Sequence, residues 1–273
     1  MASFLQPELT SAAFCWRVER RDGVCLGFTT HDRDLVVAHL RYRAAPGLLP
    51  SAVTLSDGFG SGALDISGAL TSDAISEADL SAGRWDGAAV TLFMVDWESP
   101  GSETLFLARG RLGDVAFQGR RFSAELRGPT AVLDAPVVEQ TSPGCRASLG
   151  DRRCRVDLAP RSLVTRITAV IEEDLIEVDT GSAAANAYAY GRARWISGAN
   201  SGLDYPVLSS AGRSLTLREP PHFPCAAGDL IEITEGCDKR LQTCIGRFGN
   251  AANFRGEPHL PGIDLLTRYP GAQ

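Results

Sequence analysis

Ala89-Val90-Thr91-Leu92-Phe93-Met94-Val95-Asp96-Trp97 is the strongest strand signal in the chain. With a side-chain period of two, Val90, Leu92, Met94 and Asp96 point one way and Thr91, Phe93, Val95 and Trp97 the other. Both sets are largely apolar, which places the strand inside a sandwich or barrel with neither face given to water. Upstream, Phe14, Trp16 and Val18 alternate with polar partners, Arg21-Asp22-Gly23 turns the chain, and Val24, Leu26 and Phe28 alternate again. That is a hairpin with one buried face. Its other face carries Cys15 and Cys25, read as small packed residues. Short β segments are expected at 41–44, 52–55 and 64–67. Thr71-Ser72-Asp73-Ala74-Ile75 and Ser76-Glu77-Ala78-Asp79-Leu80 predict one or two short helical turns, with Ser/Thr caps, early acids and Gly83 as terminator. Downstream, 105–112, 114–117 and 121–126 form a meander, with turns at Gly113 and at Gln118-Gly119. This unit should close near residue 135.

Beyond it the pattern changes. Ser142-Pro143-Gly144-Cys145 leads through Cys154 to Pro160, an ordered linker. A second β unit follows, in which 164–171 and 175–178 flank the acidic turn Glu172-Glu173-Asp174. The run 183–190 is weak. Arg194–Ser197 leads into Gly198-Ala199-Asn200-Ser201-Gly202, a turn rich in residues that tolerate positive φ. Segments 205–208, 214–217 and 230–233 complete the unit, and 236–273 has little periodicity. The expected fold is mainly β: two β-barrel or sandwich-like domains with a cysteine-bearing linker and C-terminal segment. The divisions fall at 1–140, 141–163, 164–235 and 236–273. No repeat of fixed period is present.

Composition narrows the function. Hydrophobic residues make up 44% and charged residues 22% of the 273, ordinary for a folded protein. With 27 basic against 33 acidic residues the net charge is −6, so the chain has no global pull toward phosphate backbones and no direct nucleic-acid specificity is expected. Lys239 is the one lysine; the other basic residues are arginines, planar forks suited to fixed pairing at interfaces. No run reaches the roughly 18 to 20 apolar residues of a transmembrane helix. The N-terminus lacks the basic and apolar regions of a secretory signal, so synthesis in the cytoplasm with reduced cysteines is expected.

Of the seven cysteines, four form two pairs. Cys145 and Cys154 lie in the linker; Cys237 and Cys244 lie just past the second β unit. A barrel can return its end close to its start, so the flanks can meet. Four converging thiolates suit either tetrahedral Zn2+ or an iron–sulfur cluster. The wide spacings differ from the tight knuckles of zinc ribbons and favour a larger object. Arg146, Arg152, Arg153, Arg155, Lys239 and Arg240 crowd the cysteines and would stabilise thiolates. Spacing alone leaves open zinc, a cluster and four unrelated thiols. Cys225 reads as a packed structural residue.

A thiol hydrolase of cell wall needs a histidine and an orienting group beside its cysteine. None of His31, His39, His222 and His259 sits in such a pattern, and no catalytic residues are assigned. His31-Asp32-Arg33-Asp34 reads as a turn stitched by Asp side chains rather than a metal or acid–base patch.

Two runs carry a family resemblance. One is Glu235-Gly236-Cys237-Asp238-Lys239-Arg240, then Cys244, then Arg247-Phe248-Gly249-Asn250-Ala251-Ala252-Asn253-Phe254-Arg255-Gly256-Glu257-Pro258-His259-Leu260-Pro261-Gly262. The other is Arg21-Asp22-Gly23, Leu26-Gly27-Phe28-Thr29 and His31-Asp32-Arg33-Asp34-Leu35. Together they resemble the baseplate hub proteins of gene transfer agents and siphophage-like prophages. The C-terminal run is also similar to the lambdoid tail tip protein L. The resemblance implies a structural virion protein of the tail baseplate, assembled in the host cytoplasm as a homotrimer. Such a hub joins the sixfold tail tube and distal tail protein to threefold tail tip or fibre proteins. It also implies a [4Fe–4S] cluster held by Cys145, Cys154, Cys237 and Cys244.

Overall fold

In the structure, a computed structural model that describes residues 3–44, 49–50, 63–69, 75–118, 121–128, 131, 138–180 and 184–260, the alternation of the first half becomes nine described strands. They are β1 (Ala12–Glu19), β2 (Cys25–Thr29), β3 (Leu35–Val37), β4 (Leu40–Ala44), β5 (Leu49–Pro50), β6 (Ala63–Ala69), β7 (Ala89–Asp96), β8 (Thr104–Gln118) and β9 (Arg121–Arg127). They form one sheet in the order β3-β4-β2-β1-β7-β8-β9-β6-β5, antiparallel except for the β2–β4 pair. The unit spans Met1–Val137.

The two-faced reading of β7 holds. Val90 and Leu92 pack with Trp16, Val18, Phe28, Leu80 and Trp85. Phe93 and Val95 pack on the opposite face with Ala13, Cys15, Leu35, Val37 and Tyr42. Cys15 is fully buried, and that burial pushes its thiol pKa up to about 11. Val24 does not join the inner face: β2 begins one residue later and Val24 is 42% exposed. Helix α1 (Glu77–Ser81) is capped by Ser76, whose Oγ accepts the Asp79 N–H at 3.0 Å. Gly83 follows at φ +72°, as a helix terminator requires. The strand expected at 52–55 and the helical turn expected at 71–74 lie outside the described residues.

Gly113 makes no turn. β8 runs straight through it, with a bulge between Leu112 and Val115 opposite β9. A Cβ at Gly113 would stand 2.8 Å from the Arg127 side chain, so the glycine serves a close cross-strand pass within the bulge.

The second unit, Val138–Gln273, holds a closed barrel. Its strands are β10 (Ser162–Val170), β11 (Leu175–Val178), β12 (Arg192–Trp195), β13 (Asp204–Ala211), β14 (Ser214–Leu217) and β15 (Leu230–Thr234). They pair in the order β10-β11-β14-β13-β12-β15, with β15 returning to β10. Alternation holds in β11, β12, β14 and β15: Ile176, Val178, Ala193, Trp195, Leu215, Leu217, Ile231 and Ile233 fill the interior, all essentially inaccessible. Register shifts at Ile167/Ala169 and Val207/Ser209 supply the bends a small barrel needs. Ala187, Tyr188 and Ala189, from the run that reads weakly in sequence, are buried as well. Fully buried Asn200 ties the loops: its Nδ2 donates to the Phe223 carbonyl at 2.7 Å, and its Oδ1 accepts from Phe223 N and the Tyr205 hydroxyl. Among its described residues the C-terminal segment carries one short α-helix, α2 (Leu241–Gly246), and a 3-10 turn at Ala251–Asn253. The six residues of α2 are too few to show a 3.6-residue period in sequence.

Ile233→Ala should cost about 2–5 kcal/mol of stability through the cavity it leaves, read as a lower midpoint in chemical denaturation of the full chain.

Candidate metal centre

Ser162 pairs with Thr234, so the chain enters and leaves the barrel at one point. The flanking segments, 138–161 and 235–260, therefore start side by side. They stay together through backbone bonds: Cys145 N–H to Lys239 O at 2.8 Å, Arg146 N–H to Arg255 O at 3.0 Å, and Glu257 N–H to Ser142 O at 2.8 Å. Gly236 and Gly191 permit the tightest crossing. A Cβ on Gly236 would fall 2.0 Å from Ala189 O and 2.1 Å from Gly191 N, and one on Gly191 would fall 2.0 Å from Thr234 O. That crossing aims the next residue, Cys237.

Each cysteine is presented by its own local device. Asp151 collects three N–H donors, from Ser148, Arg153 and Cys154 at 2.9, 2.8 and 2.6 Å, and so closes the turn that offers Cys154. The Cys154 N–H bond is the main reason the Asp151 carboxyl lies below the usual carboxylate range. Asp238 accepts Arg240 N–H at 3.0 Å and the Thr243 hydroxyl at 2.9 Å, which starts α2 and places Cys244 on it. Arg255 N–H donates to Cys145 Sγ at 3.3 Å. Asn250 Nδ2 donates to Cys154 O at 2.6 Å and approaches Cys154 Sγ at 3.7 Å.

Charge locks the frame. Arg146 grips Glu257 in a two-pronged pair at 2.6 and 3.0 Å. That contact is the largest influence lowering the Glu257 pKa and raising that of Arg146. Glu235 holds Arg161 at 2.9 Å and Arg247 at 2.6 Å, and both guanidiniums lie over the Phe248 ring, 4.8 and 5.1 Å from its centroid. By contrast Arg152, Arg155, Lys239, Arg240 and Arg255 meet no carboxylate among the described residues.

The four cysteines singled out from sequence, Cys145, Cys154, Cys237 and Cys244, line one recess together with Lys239, Asn250 and Phe254. All seven cysteines of the chain are free thiols. Burial is the main cause of a raised pKa at Cys244, and the neighbouring Cys237, Cys145 and Cys154 raise it further. Cys237 is also raised, chiefly by burial, against the opposing pull of the Lys239 N–H and charge. Among the described residues no three His, Cys, Asp or Glu side chains are gathered closely enough to hold one metal ion.

The other candidates stay apart. Cys225, its pKa pushed up to about 11 by burial, contacts Asn200 at 3.7 Å and packs a loop. In the first unit, Arg33 N–H bonds His31 Nδ1 at 3.1 Å, while Asp34 accepts Ala44 N–H at 2.8 Å and Arg41 Nε at 2.6 Å. That segment is a stitched turn. Among the described residues no hydrogen bond joins a histidine to a cysteine. Sequence reasoning missed Asn250, Asp151, Glu257 and Gly236 as site-shaping residues. Only the first could have been flagged, through the Asn250-Ala251-Ala252-Asn253 run.

The site is thus framed by cysteine-bearing segments on the two flanks of a closed barrel, with four thiols lining one recess. A family model described as baseplate hub protein, N-terminal attachment domain, matches residues 1–157. A second, described as phage conserved hypothetical protein BR0599, matches residues 186–264. A chain from the virion of a native gene transfer agent particle is 37% identical, covering 99% of this chain and 95% of its own length, with a TM-score of 0.83. No curated protein matches. The chain belongs to the baseplate hub protein family.

Gly236→Ala should sharply lower the thermal midpoint, because the clashing atoms are backbone and cannot swing aside. Gly246→Ala, with nothing within 4 Å of its Cβ, should be neutral or raise stability by about 0.4–1 kcal/mol. Differential scanning calorimetry of the two variants checks both. The depressed carboxyl of Glu257 also sets an acid limit. Its folded pKa lies below the unfolded value of about 4.3, so its stabilisation is complete above that pH and disappears as pH falls through the folded value. Glu257→Gln should be less stable than wild type at neutral pH and lose less on acidification, measured by urea unfolding across pH.

Proposed function

We propose that the chain is a structural hub in the tail baseplate of a phage-like virion, and that Cys145, Cys154, Cys237 and Cys244 hold an iron–sulfur cluster of the [4Fe–4S] kind. The observation that carries the second part is that thiols from two segments, far apart in sequence, line one recess. The donor set fits: four thiols line the recess, and Lys239 and Arg240, which meet no carboxylate among the described residues, line it with them. Arg255 N–H on Cys145 Sγ and Asn250 Nδ2 near Cys154 Sγ are the N–H donors that thiolate ligands favour. Thiols that raise one another's pKa disfavour four ionised sulfurs unless a cationic centre sits among them.

Bound there, the cluster would supply iron–thiolate bonds that cross-link the linker to the C-terminal segment. Everything else is done by the chain: Asp151 and α2 present sulfurs, Gly236 sets the crossing, and Arg146–Glu257 closes the frame. In the virion we place the chain as a homotrimer between the tail tube with its distal tail protein and the tip or fibre proteins. Two β units per chain would give a trimer six such units, matching sixfold symmetry on one side and threefold on the other. The identity and coverage of the gene transfer agent chain support that placement. The role is structural rather than hydrolytic.

Cys237→Ser, purified anaerobically and also introduced into the particle-producing strain, tests the reading. Loss of bound iron and sulfide, a lower thermal midpoint and failure to build tails are expected. Normal tails containing the variant would overturn a structural role for the centre, and zinc in place of iron and sulfide in the wild type would overturn its identity.

A further inference from the structure

We infer that Asn250 is a positioning residue that straps one cysteine of each pair into the recess and protects Cys154 in particular. The inference rests on reading the four thiols as ligands. Asn250 sits between the two segments and bonds both. Its backbone N–H donates to Cys244 O at 3.0 Å, and its carbonyl accepts from the Cys244 thiol at 3.4 Å. Its side chain reaches the other segment, with Nδ2 2.6 Å from Cys154 O and 3.7 Å from Cys154 Sγ.

The amide orientation follows from the partners. A carbonyl only accepts, so the atom facing Cys154 O is the NH2 group. The opposite end, Oδ1, then accepts from Asn253 Nδ2 at 2.7 Å, which holds the amide in that orientation. The two hydrogens on Nδ2 have separate uses. One fixes the backbone carbonyl of Cys154; the other is directed to its sulfur. Asp151 takes the Cys154 backbone N–H at 2.6 Å; among the described hydrogen bonds no other side chain reaches its sulfur or carbonyl.

The bonds at Cys244 and Cys154 respond differently to ligation. A ligating Cys244 sulfur has lost its proton and no longer donates to the Asn250 carbonyl. The Nδ2 contact strengthens, because a thiolate is a better acceptor than a thiol. Asn250 therefore keeps its hold on Cys154 when that sulfur is a ligand, through the 2.6 Å bond to the Cys154 carbonyl. Truncating such an outer partner costs roughly 10- to 100-fold in metal affinity at other sites.

Two full-length variants test this. Asn250→Asp keeps the shape, the backbone bonds and the acceptor for Asn253 but removes both Nδ2 donors. Asn250→Ala removes the side chain. Iron-free protein, prepared with a chelator, is alkylated with iodoacetamide, and the rate at each cysteine is read by mass spectrometry. Anaerobically loaded protein is challenged with the same chelator, and its iron loss and reduction potential are followed. Asn250→Ala should speed alkylation of Cys154, with Cys145 and the first-unit Cys25 unchanged, because the sulfur is untied and uncovered. Iron loss should be about tenfold faster in both variants, in line with the loss of an outer ligand contact, and Asn250→Asp should lower the reduction potential. Unchanged Cys154 reactivity in Asn250→Ala, or an equal rise at all four recess cysteines, would overturn the inference. The iron-free labelling decides the role of Asn250 even where the wild type proves to lack iron and sulfide, a result that would count against the cluster alone.

Discussion

Two lengths of irregular chain must be held against each other for this site to exist. Segments 138–161 and 235–260 share no sheet, and α2 is the one regular α-helix between them. The barrel makes the first constraint by returning Thr234 to Ser162. From that shared point the segments are tied by backbone bonds, by the Arg146–Glu257 pair and by the Gly191–Gly236 crossing. Short irregular segments cannot bury enough apolar surface to offset their ordering entropy, so polar ties carry that load, and the proposed cross-link at the sulfurs would share it.

The barrel and the site divide the work. Inside the barrel, stability is apolar and insensitive to pH or redox state: Trp195, Ile231, Ile233, Leu215 and Leu217 are shut off from water. At its seam, stability comes from carboxylates, guanidiniums and thiols, all of which respond to conditions. This suits a component that must be folded before assembly and then fixed in one geometry within a particle. A rigid barrel supplies the platform, and the seam supplies the lock.

Much of this was legible in the residues. The two-faced character of Ala89–Asp96, the alternation in β11, β14 and β15, and the Ser76 cap with Gly83 behind it follow from periodicity and capping chemistry. The four cysteines stood out because two pairs flank one β unit whose ends meet. Other features were hidden for physical reasons. A bulge at Gly113 and a turn at Gly113 look alike in one strand, since only the partner register tells them apart. Helix α2 is shorter than two turns. The nine-stranded sheet described in the first unit and the closed barrel of the second share the same alternation, and closure depends on which strands pair rather than on their pattern. The Asn250-Ala251-Ala252-Asn253 run marks Asn250, but its side-chain contact to Cys154 lies 96 positions away and cannot be read from the run.

The central claim is that thiols from two segments share one inorganic centre. Chemical analysis of iron and acid-labile sulfide in anaerobically purified wild-type chain tests it most directly. The account predicts a brown protein with iron and sulfide in equal amounts, one cluster per chain. A colourless protein with zinc alone, or with no metal at all, would contradict it.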